Sequence, residues 1–314
     1  MASIDSTPIL FSIPTPHLHS SNFWLPESPL FDPTTGLVHF PDIPSRLIYT
    51  FNPSSPSPAT SICTPDYIGA IFLSQHPDVF LCAAQFGIAT VNKTTGDLNY
   101  VAYYYPPGKR ERMRANDAAV DCKGRIWVGV MTSFGLGPPQ EEGAIMVFDP
   151  KTMGLKVVKE PVAVPNGIVF SGDNGWCYIA DTRKGIIYRY SFDAEKGELG
   201  EEEEWVKIQE EKHGKGAPDG MAVDKEDNLW VAMFNGCRVL RLHGETGEVM
   251  GRVEIQGSRQ VACPRFAGRS LVITTGALVH MDAKLREECE FAGDVFVVPD
   301  VGVEGREIYQ ARLG

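Results

Sequence analysis

Four polar residues stand alone at the head of short apolar segments, and their side chains carry oxygen atoms suited to binding a cation. They are Glu27 in PESPLFD, Asn116 in NDAAVD, Asn166 in PNGIVF and Asp219 in PDGMAVD. Carboxylate and amide oxygens are hard ligands, which suit Ca²⁺, Mg²⁺ or Mn²⁺ rather than thiolate-binding ions. Two carboxylates repel each other in a desolvated site, and a divalent cation removes that repulsion. If the fold brings these residues together, the sequence predicts a divalent metal site.

The elements that would position them are six apolar, strand-like runs spread along the chain. The runs are GLVHF, DVFLCA, RIWVGV, WCYIAD, NLWVAM and SLVITT, centred on His39, Phe80, Trp127, Tyr178, Trp230 and Val272. Consecutive centres lie 41 to 52 residues apart, and such a period of short strands is typical of β-propeller blades. We therefore predict an all-β fold, a single six-bladed β-propeller over residues 1–314 with a metal site in its central channel. A β-sandwich is the alternative, but its strands recur about every 8 to 12 residues without this longer period.

The polar residues keep a nearly constant position relative to these runs. Glu27 and Asn166 precede the centres of their runs by 12 residues, and Asn116 and Asp219 precede theirs by 11. An equal offset indicates an equivalent position in each blade, on the innermost strand. The four side chains should therefore share one level on the axis.

Two blades lack such a polar residue, and one of the four matches is weaker than the others. The remaining blades place Ile68 or Gly69, and Gln260 or Val261, at the same level, which predicts an uneven ring that admits a ligand from one side. The weaker match is the Asn116 segment, where Asp117 could cap the local backbone instead of facing the axis. The Asn-Gly and Asp-Gly pairs are also ordinary turn formers, but their common register favours the axial interpretation.

Composition and charge narrow the class of partner. The formal net charge is −11 and the isoelectric point about 5.2, so nucleic acid and anionic membranes are not expected partners. Neither a signal segment nor an apolar run of about 20 residues is evident, which favours a cytoplasmic protein. The seven cysteines include no CxxC pair, which predicts reduced thiols. We expect exposed loops at 53–60, 105–112, 134–143 and 201–204.

At these motifs the sequence resembles the senescence marker protein family, which contains regucalcin, gluconolactonases and related sugar lactonases. The resemblance covers nearly the full chain and is carried by residues 26–32, 114–131, 165–181 and 218–242. It implies a propeller with one divalent ion held by Glu27, Asn166 and Asp219. Ca²⁺ is the expected ion, and Zn²⁺, Mn²⁺, Mg²⁺ and Fe²⁺ are alternatives.

The same resemblance implies a hydrolase that opens a lactone or related cyclic ester by Lewis-acid activation of the carbonyl and attack of water. Asp219 is the candidate for orienting or deprotonating the water, with Asn116 as the second catalytic candidate. Arg114 and Asn116 would hold the substrate, although a surface role for Arg114 in the basic loop 109–114 is the alternative. Beyond the substrate we expect neither nucleic acid nor a membrane as a partner, and we expect a monomer or weak oligomer.

Two segments expected to contact the substrate, together called the substrate wall, differ from the family pattern. Thr132, Ser133 and Phe134 stand where sugar lactonases often carry acidic residues, and residues 261–263 replace a hydroxyl-rich stretch. Two further functions therefore stay open. One is a noncatalytic metal-binding propeller that regulates or scaffolds partners, and the other is a member adapted to another reaction in specialised metabolism.

Overall fold

Short segments rich in β-branched and aromatic residues, separated by Gly, Pro, Asn and Asp turns, form antiparallel strands along the chain. The structure is a computed structural model, and it describes residues 3–55, 57–277, 287–311 and 313. Its architecture is all-β, with four four-stranded sheets and one eight-stranded sheet. The all-β class predicted from the strand repeat is therefore confirmed.

Each four-stranded sheet is formed by four consecutive strands. The first contains β2 (Leu30–Asp32), β3 (Leu37–Asp42), β4 (Leu47–Phe51) and β5 (Thr60–Cys63), and the second contains β6 (Ile68–Leu73), β7 (Val79–Ala84), β8 (Gly87–Asn92) and β9 (Leu98–Tyr103). The third contains β10 (Met113–Val120), β11 (Ile126–Thr132), β12 (Gly143–Asp149) and β13 (Gly154–Val162), and the fourth contains β14 (Pro165–Phe170), β15 (Trp176–Asp181), β16 (Ile186–Asp193) and β17 (Glu198–Lys207). The eight-stranded sheet contains β1 (Ile9–Ile13), β18 (Ala217–Val223), β19 (Leu229–Phe234), β20 (Arg238–Leu242), β21 (Val249–Ile255), β22 (Gln260–Ala267), β23 (Ser270–Gly276) and β24 (Val295–Val298). Short helical elements among the described residues include two 3-10 turns, at Ile4–Ser6 and Arg110–Arg112, and α1 (Glu210–His213). A helix with the length and apolarity to cross a membrane is absent from the described residues.

The first strand of each repeat packs against the first strand of the next. Strand β2 contacts β6, β6 contacts β10, β10 contacts β14, β14 contacts β18, and β18 contacts β22. Strand β22 in turn contacts β2, which closes the circle. These inner strands therefore surround a common axis. The buried hydrophobic clusters lie between neighbouring sheets, so that the core is distributed around the axis.

A buried hydrogen bond recurs in two repeats and shows that their sequences are structurally equivalent. The Trp127 indole N–H donates to Asp121 Oδ2 at 3.0 Å, and the Trp230 indole N–H donates to Asp224 Oδ2 at 3.0 Å. Each carboxylate also accepts a hydrogen bond from an arginine. Because the two Asp–Trp pairs have the same spacing, this bond fixes the second strand of both repeats in the same register.

The N-terminal segment joins parts of the fold that are distant in sequence. Strand β1 pairs in parallel with β21, and Leu18 exchanges backbone hydrogen bonds with Val295 in β24. The buried Arg252 guanidinium donates to the carbonyl oxygen of Thr7 at 3.1 Å. These bonds tie the start of the chain to its last strands.

One predicted loop is wrong. Residues 201–204 lie within β17, an edge strand, because their glutamates find basic and aromatic partners on neighbouring strands. The Glu203 carboxylate accepts from Arg189 on β16 at 2.6 Å, and Glu202 accepts from the Tyr190 hydroxyl at 2.7 Å. The predicted loops at 53–60, 105–112 and 134–143 lie between strands. The exceptions are Thr60 and Gly143, which begin strands, and the 3-10 turn at Arg110–Arg112. Residue 56 lies outside the described residues.

Inner strands approach so closely that a side chain does not fit at two axial positions. A Cβ atom added at Gly69 would lie 2.2 Å from the backbone oxygen of Asn116, and one at Gly220 would lie 2.8 Å from the backbone oxygen of Ala262. We expect Gly69→Ala to destabilise the protein by about 2–3 kcal/mol, because neighbouring backbones must move apart. Denaturant unfolding of this variant and of Gly175→Ala, whose added Cβ meets only a side chain at 3.3 Å, measures the difference. Equal losses in the two variants would contradict the close approach.

Candidate metal centre

Bulges on three inner strands occur at the residues that the sequence singled out. The regular pairing is interrupted between Ala115 and Ala118 in β10, between Pro165 and Ile168 in β14, and between Pro218 and Met221 in β18. Asn116, Asn166 and Asp219 are therefore bulge residues. A bulge bends the strand locally and re-aims its side chain, which is how these residues leave the ordinary alternation of a strand. The offset in sequence located them, but it did not reveal the bulges.

Glu27 reaches the site from an irregular segment between the Pro26–Asp42 bridge and β2. Its backbone N–H donates to Pro41 O at 2.9 Å, and the Ser28 N–H donates to Glu27 Oε2 at 3.1 Å. Ser28 has a φ of 40°, in the left-handed region that non-glycine residues rarely adopt. These bonds therefore hold the Glu27 carboxylate just before the inner strand, where its side chain is buried.

The carboxylates of Glu27 and Asp219 lie within electrostatic reach of each other. Burial and the charge of Asp117 raise the pKa of Glu27 from 4.5 to about 8. Burial, followed by the charges of Glu27 and Asp117, raises the pKa of Asp219 well above 3.8. The Arg114 guanidinium lowers the pKa of both acids, but it does not offset the other effects. The site therefore concentrates more negative charge than its arginine neutralises.

Asp117 is a member of this acidic group that the sequence did not assign to the site. Its Oδ1 accepts from the backbone N–H of Ala118 at 2.7 Å and from the Ser28 hydroxyl at 3.0 Å. The alternative that it caps the local backbone is thus confirmed, yet its charge also acts on Glu27 and Asp219. Its position next to Asn116 inside the same bulge is the signal that could have indicated this.

Two side-chain oxygens at the site are buried without a hydrogen-bond partner in the part of the chain that the structure describes. They are Asn166 Oδ1 and Asp219 Oδ1. Buried polar atoms are almost always satisfied, so an unpartnered pair in one site indicates that a ligand completes it. Asn166 is oriented by its amide, which donates to Thr182 Oγ1 at 3.0 Å, and that hydroxyl donates to Pro218 O at 2.7 Å.

Asn116 differs from Asn166 because both ends of its amide are engaged. Its Oδ1 accepts from Arg114 Nη1 at 2.8 Å, and its Nδ2 donates to Pro165 O at 3.0 Å. It thus bridges β10 and β14 and has less freedom to bind a cation directly. The assignment of Asn116 to a place beside the ion and of Asn166 to its ligands stays a prediction.

The chemistry of the donor set limits what the centre can hold. Over the described residues, no group of three or more His, Cys, Asp and Glu side chains is arranged to hold a metal ion. An ion here must therefore also use amide oxygen, and Glu27, Asn166 and Asp219 supply two carboxylates and one amide. Such a set fits a hard divalent cation and suits thiolate-binding ions poorly.

Arg114 is buried beside these acids, with only 4% of its surface exposed, so the alternative of a surface charge is wrong. Its Nη1 donates to Ala115 O and to Asn116 Oδ1, both at 2.8 Å, whereas its Nε has no partner among the described residues. Burial lowers the pKa of Arg114 to about 10, and the charges of Glu27 and Asp219 oppose that decrease. Arg114 therefore remains charged at neutral pH, with one donor edge free.

Comparison with known proteins connects this chain to a family. The sequence model described as SMP-30/Gluconolactonase/LRE-like region matches residues 25–277. A 6-deoxy-6-sulfogluconolactonase from Pseudomonas putida is 30% identical over 255 residues, which cover 80% of this chain and 83% of that protein. Regucalcin from Oryctolagus cuniculus is 26% identical over 291 residues, which cover 89% and 92% of the two chains.

Solved structures agree at the level of the fold. A regucalcin from Agrobacterium tumefaciens, described as a calcium-binding protein, superposes with a TM-score of 0.81 at 23% identity, covering 97% of this chain and 98% of that chain. A gluconolactonase from Xanthomonas campestris superposes with a TM-score of 0.69 at 16% identity, covering 92% and 88%. The resemblance drawn from the four sequence motifs is thus confirmed, and the chain belongs to the SMP-30/gluconolactonase/LRE-like family.

Proposed function

We propose that this protein is a metal-dependent hydrolase that opens a lactone or a related cyclic ester. The observation that carries the proposal is the pair of buried, unpartnered oxygens on Asn166 and Asp219, next to the mutually repelling acids of the same site. Membership of a family whose relatives include named lactonases supports lactone hydrolysis as the reaction class.

The proposed framework is a six-bladed propeller. Seven strands of the eight-stranded sheet are interpreted as two blades, β18–β21 and β22–β24, since β19 and β22 share only one pair, Phe234 with Gln260. The eighth strand, β1, adds to the outer edge of the first of these blades by pairing with β21. Together with the four four-stranded sheets this makes six units around the axis. The site then lies where the inner strands begin, at one end of the channel.

Glu27, Asn166 and Asp219 are the proposed ligands of one divalent ion, with Ca²⁺ the first candidate. A bound divalent cation supplies Lewis-acid polarisation of a carbonyl oxygen. The named calcium-binding relative supports the choice of Ca²⁺. Without the ion these acids would hold protons at neutral pH, and with it their oxygens are available as ligands.

The residues of the chain have separate tasks in the proposed reaction. Asp219 accepts a hydrogen bond from the attacking water and orients it, since its Oδ1 has no other partner in the described structure. Arg114 donates from its free Nε edge to the substrate, and Asn116 fixes that guanidinium by accepting from Nη1. Burial of Asp219 and Arg114 keeps bulk water from these two groups, which strengthens their electrostatic contacts.

Removal and return of the ion test the proposal. The protein is treated with a chelator and reloaded with Ca²⁺, Mg²⁺, Mn²⁺ or Zn²⁺, and acid release is measured from sugar and non-sugar lactones. We expect at least one lactone to be hydrolysed with an ion present and the rate to fall by about 10²-fold or more without it. Full activity after complete removal of the ion would overturn the mechanism. An ion that binds without any hydrolysis would instead support the noncatalytic alternative.

A further inference from the structure

An aromatic pair covers one side of the substrate-facing arginine. The Arg114 Cζ lies 4.1 Å from the ring centroid of Phe134, within cation–π distance. Phe134 in turn meets the Tyr67 ring edge to face, with centroids 5.3 Å apart and planes at 90°. Phe134 keeps 36% of its surface exposed, although it is a large hydrophobic residue. The pair therefore forms an apolar surface, open to solvent, directly beside the proposed centre.

The loop that carries Phe134 is anchored on both sides. The Gln140 N–H donates to Thr132 Oγ1 at 2.9 Å, and the Thr132 hydroxyl donates to Glu142 Oε1 at 3.0 Å. The Arg183 guanidinium donates to Pro139 O from the next sheet. The aromatic surface is thus held in place before any ligand arrives, which reduces the entropic cost of binding to it.

The polar groups near this surface are poorly placed to bind a polyhydroxylated ring. Glu142 is bound to Arg112 at 3.0 Å as well as to Thr132, so its carboxylate is already engaged. One face of Arg114 packs on Phe134, and its Nη1 is committed to Ala115 and Asn116. The groups that remain for a substrate are the Nε edge of Arg114 and the aromatic pair of Phe134 and Tyr67 beside it.

We propose that the substrate is a lactone or ester that carries an aromatic ring, and that this ring packs on Phe134 and Tyr67. The carbonyl group would then lie towards Arg114, whose guanidinium packs on Phe134, and towards the centre. Aromatic side chains recognise flat rings through offset-stacked or edge-to-face contacts. This inference rests on the proposed lactonase function and adds its substrate class.

Kinetics with a matched pair of lactones test the substrate class in the ion-loaded protein. We expect dihydrocoumarin to be hydrolysed with a higher kcat/KM than δ-gluconolactone, and Phe134→Ala to lower kcat/KM for dihydrocoumarin about tenfold. The same variant should change kcat/KM for δ-gluconolactone less than threefold, since a sugar ring gains little from packing on the aromatic pair. Trp176→Ala is the control, because Trp176 is 37% exposed and packs against Arg189 at 4.5 Å, at the opposite end of its strand from the proposed centre. Equal losses for both lactones, or preference for δ-gluconolactone, would overturn the inference.

Binding of 3,4-dihydroquinolin-2-one, the lactam counterpart of dihydrocoumarin, separates this inference from the hydrolytic proposal. Calorimetry should show binding to the wild type, about tenfold weaker binding to Phe134→Ala, and recovery in Phe134→Tyr. If no lactone is hydrolysed but this pattern holds, the hydrolase proposal fails while the aromatic site stands. If lactones are hydrolysed and Phe134→Ala binds the lactam as tightly as the wild type, the aromatic site fails and the hydrolase proposal stands.

Discussion

Replacing Asp219 by Asn is expected to lower kcat/KM for lactone hydrolysis by about 10²- to 10⁴-fold, the range that a positioned acid or base contributes. The substitution keeps the shape of the side chain and an oxygen atom, but it removes the negative charge and the ability to accept a proton. Asp219 is 3% exposed and its Oδ1 has no partner in the described chain. The Asn side chain keeps an oxygen that can accept from the Gly220 backbone N–H, so the loss concerns the ligand of the carboxylate. Initial rates with the best lactone, together with calorimetric titration of the divalent ion, measure both effects.

The stability of the same variant distinguishes a functional role from a structural one. In the absence of ion, Asp219→Asn should be at least as stable as the wild type at pH 8, because it removes one of three neighbouring buried acids. Asp294→Asn is the control, since Asp294 is also a buried acid but bonds to His19 and to the Ser20 backbone. We expect the control to lose stability and keep activity. Full lactone hydrolysis by Asp219→Asn would contradict the proposed role.

The strand repeat and the positions of the polar residues were predictable from the sequence, because both depend on regular spacing along the chain. Inner strands must begin at equivalent points, and a polar residue repeated at that point stands out against apolar neighbours, as Asn166 and Asp219 do. The acidic run 201–204 misled the prediction because charge suggests a loop. On edge strand β17 those side chains face solvent and find partners such as Arg189 across the sheet.

What spacing could not supply is the three-dimensional detail that decides the chemistry. Asp117 follows Asn116 directly, and whether it faces the backbone or the axis depends on a bulge that no local pattern specifies. The contact between Tyr67 and Phe134 joins residues from different repeats, so only the closed arrangement of sheets brings them together. Sequence thus located the ligand candidates, whereas the substrate wall required the fold.

The stability of the ion-free protein should decrease as pH rises from about 6.5 to 8. In the unfolded chain Glu27 titrates near 4.5, but in the folded chain burial and Asp117 raise its pKa to about 8. Over this interval the folded protein therefore retains a proton that the unfolded chain has lost, and stability falls with pH by up to about 1.4 kcal/mol per pH unit. Asp219, whose pKa is also raised, adds to the same trend. Above pH 8 the contribution of Glu27 levels off, because both states are ionised.

Thermal unfolding with and without Ca²⁺ measures this linkage, and the chosen interval avoids an opposing group. Burial lowers the pKa of His39 from 6.5 to about 4, so His39 makes stability rise with pH, but only below about 6.5. A cation bound by both carboxylates keeps them ionised, so Ca²⁺ should raise the melting temperature more at pH 8 than at pH 6.5 relative to a chelator-treated sample at the same pH. Glu27→Gln should flatten the pH dependence of the ion-free protein, since the variant has no proton to lose at that position. A wild-type melting temperature that rises with pH in the chelated state would show that the two acids do not share a desolvated site, and the case for a cation between them would fail with it.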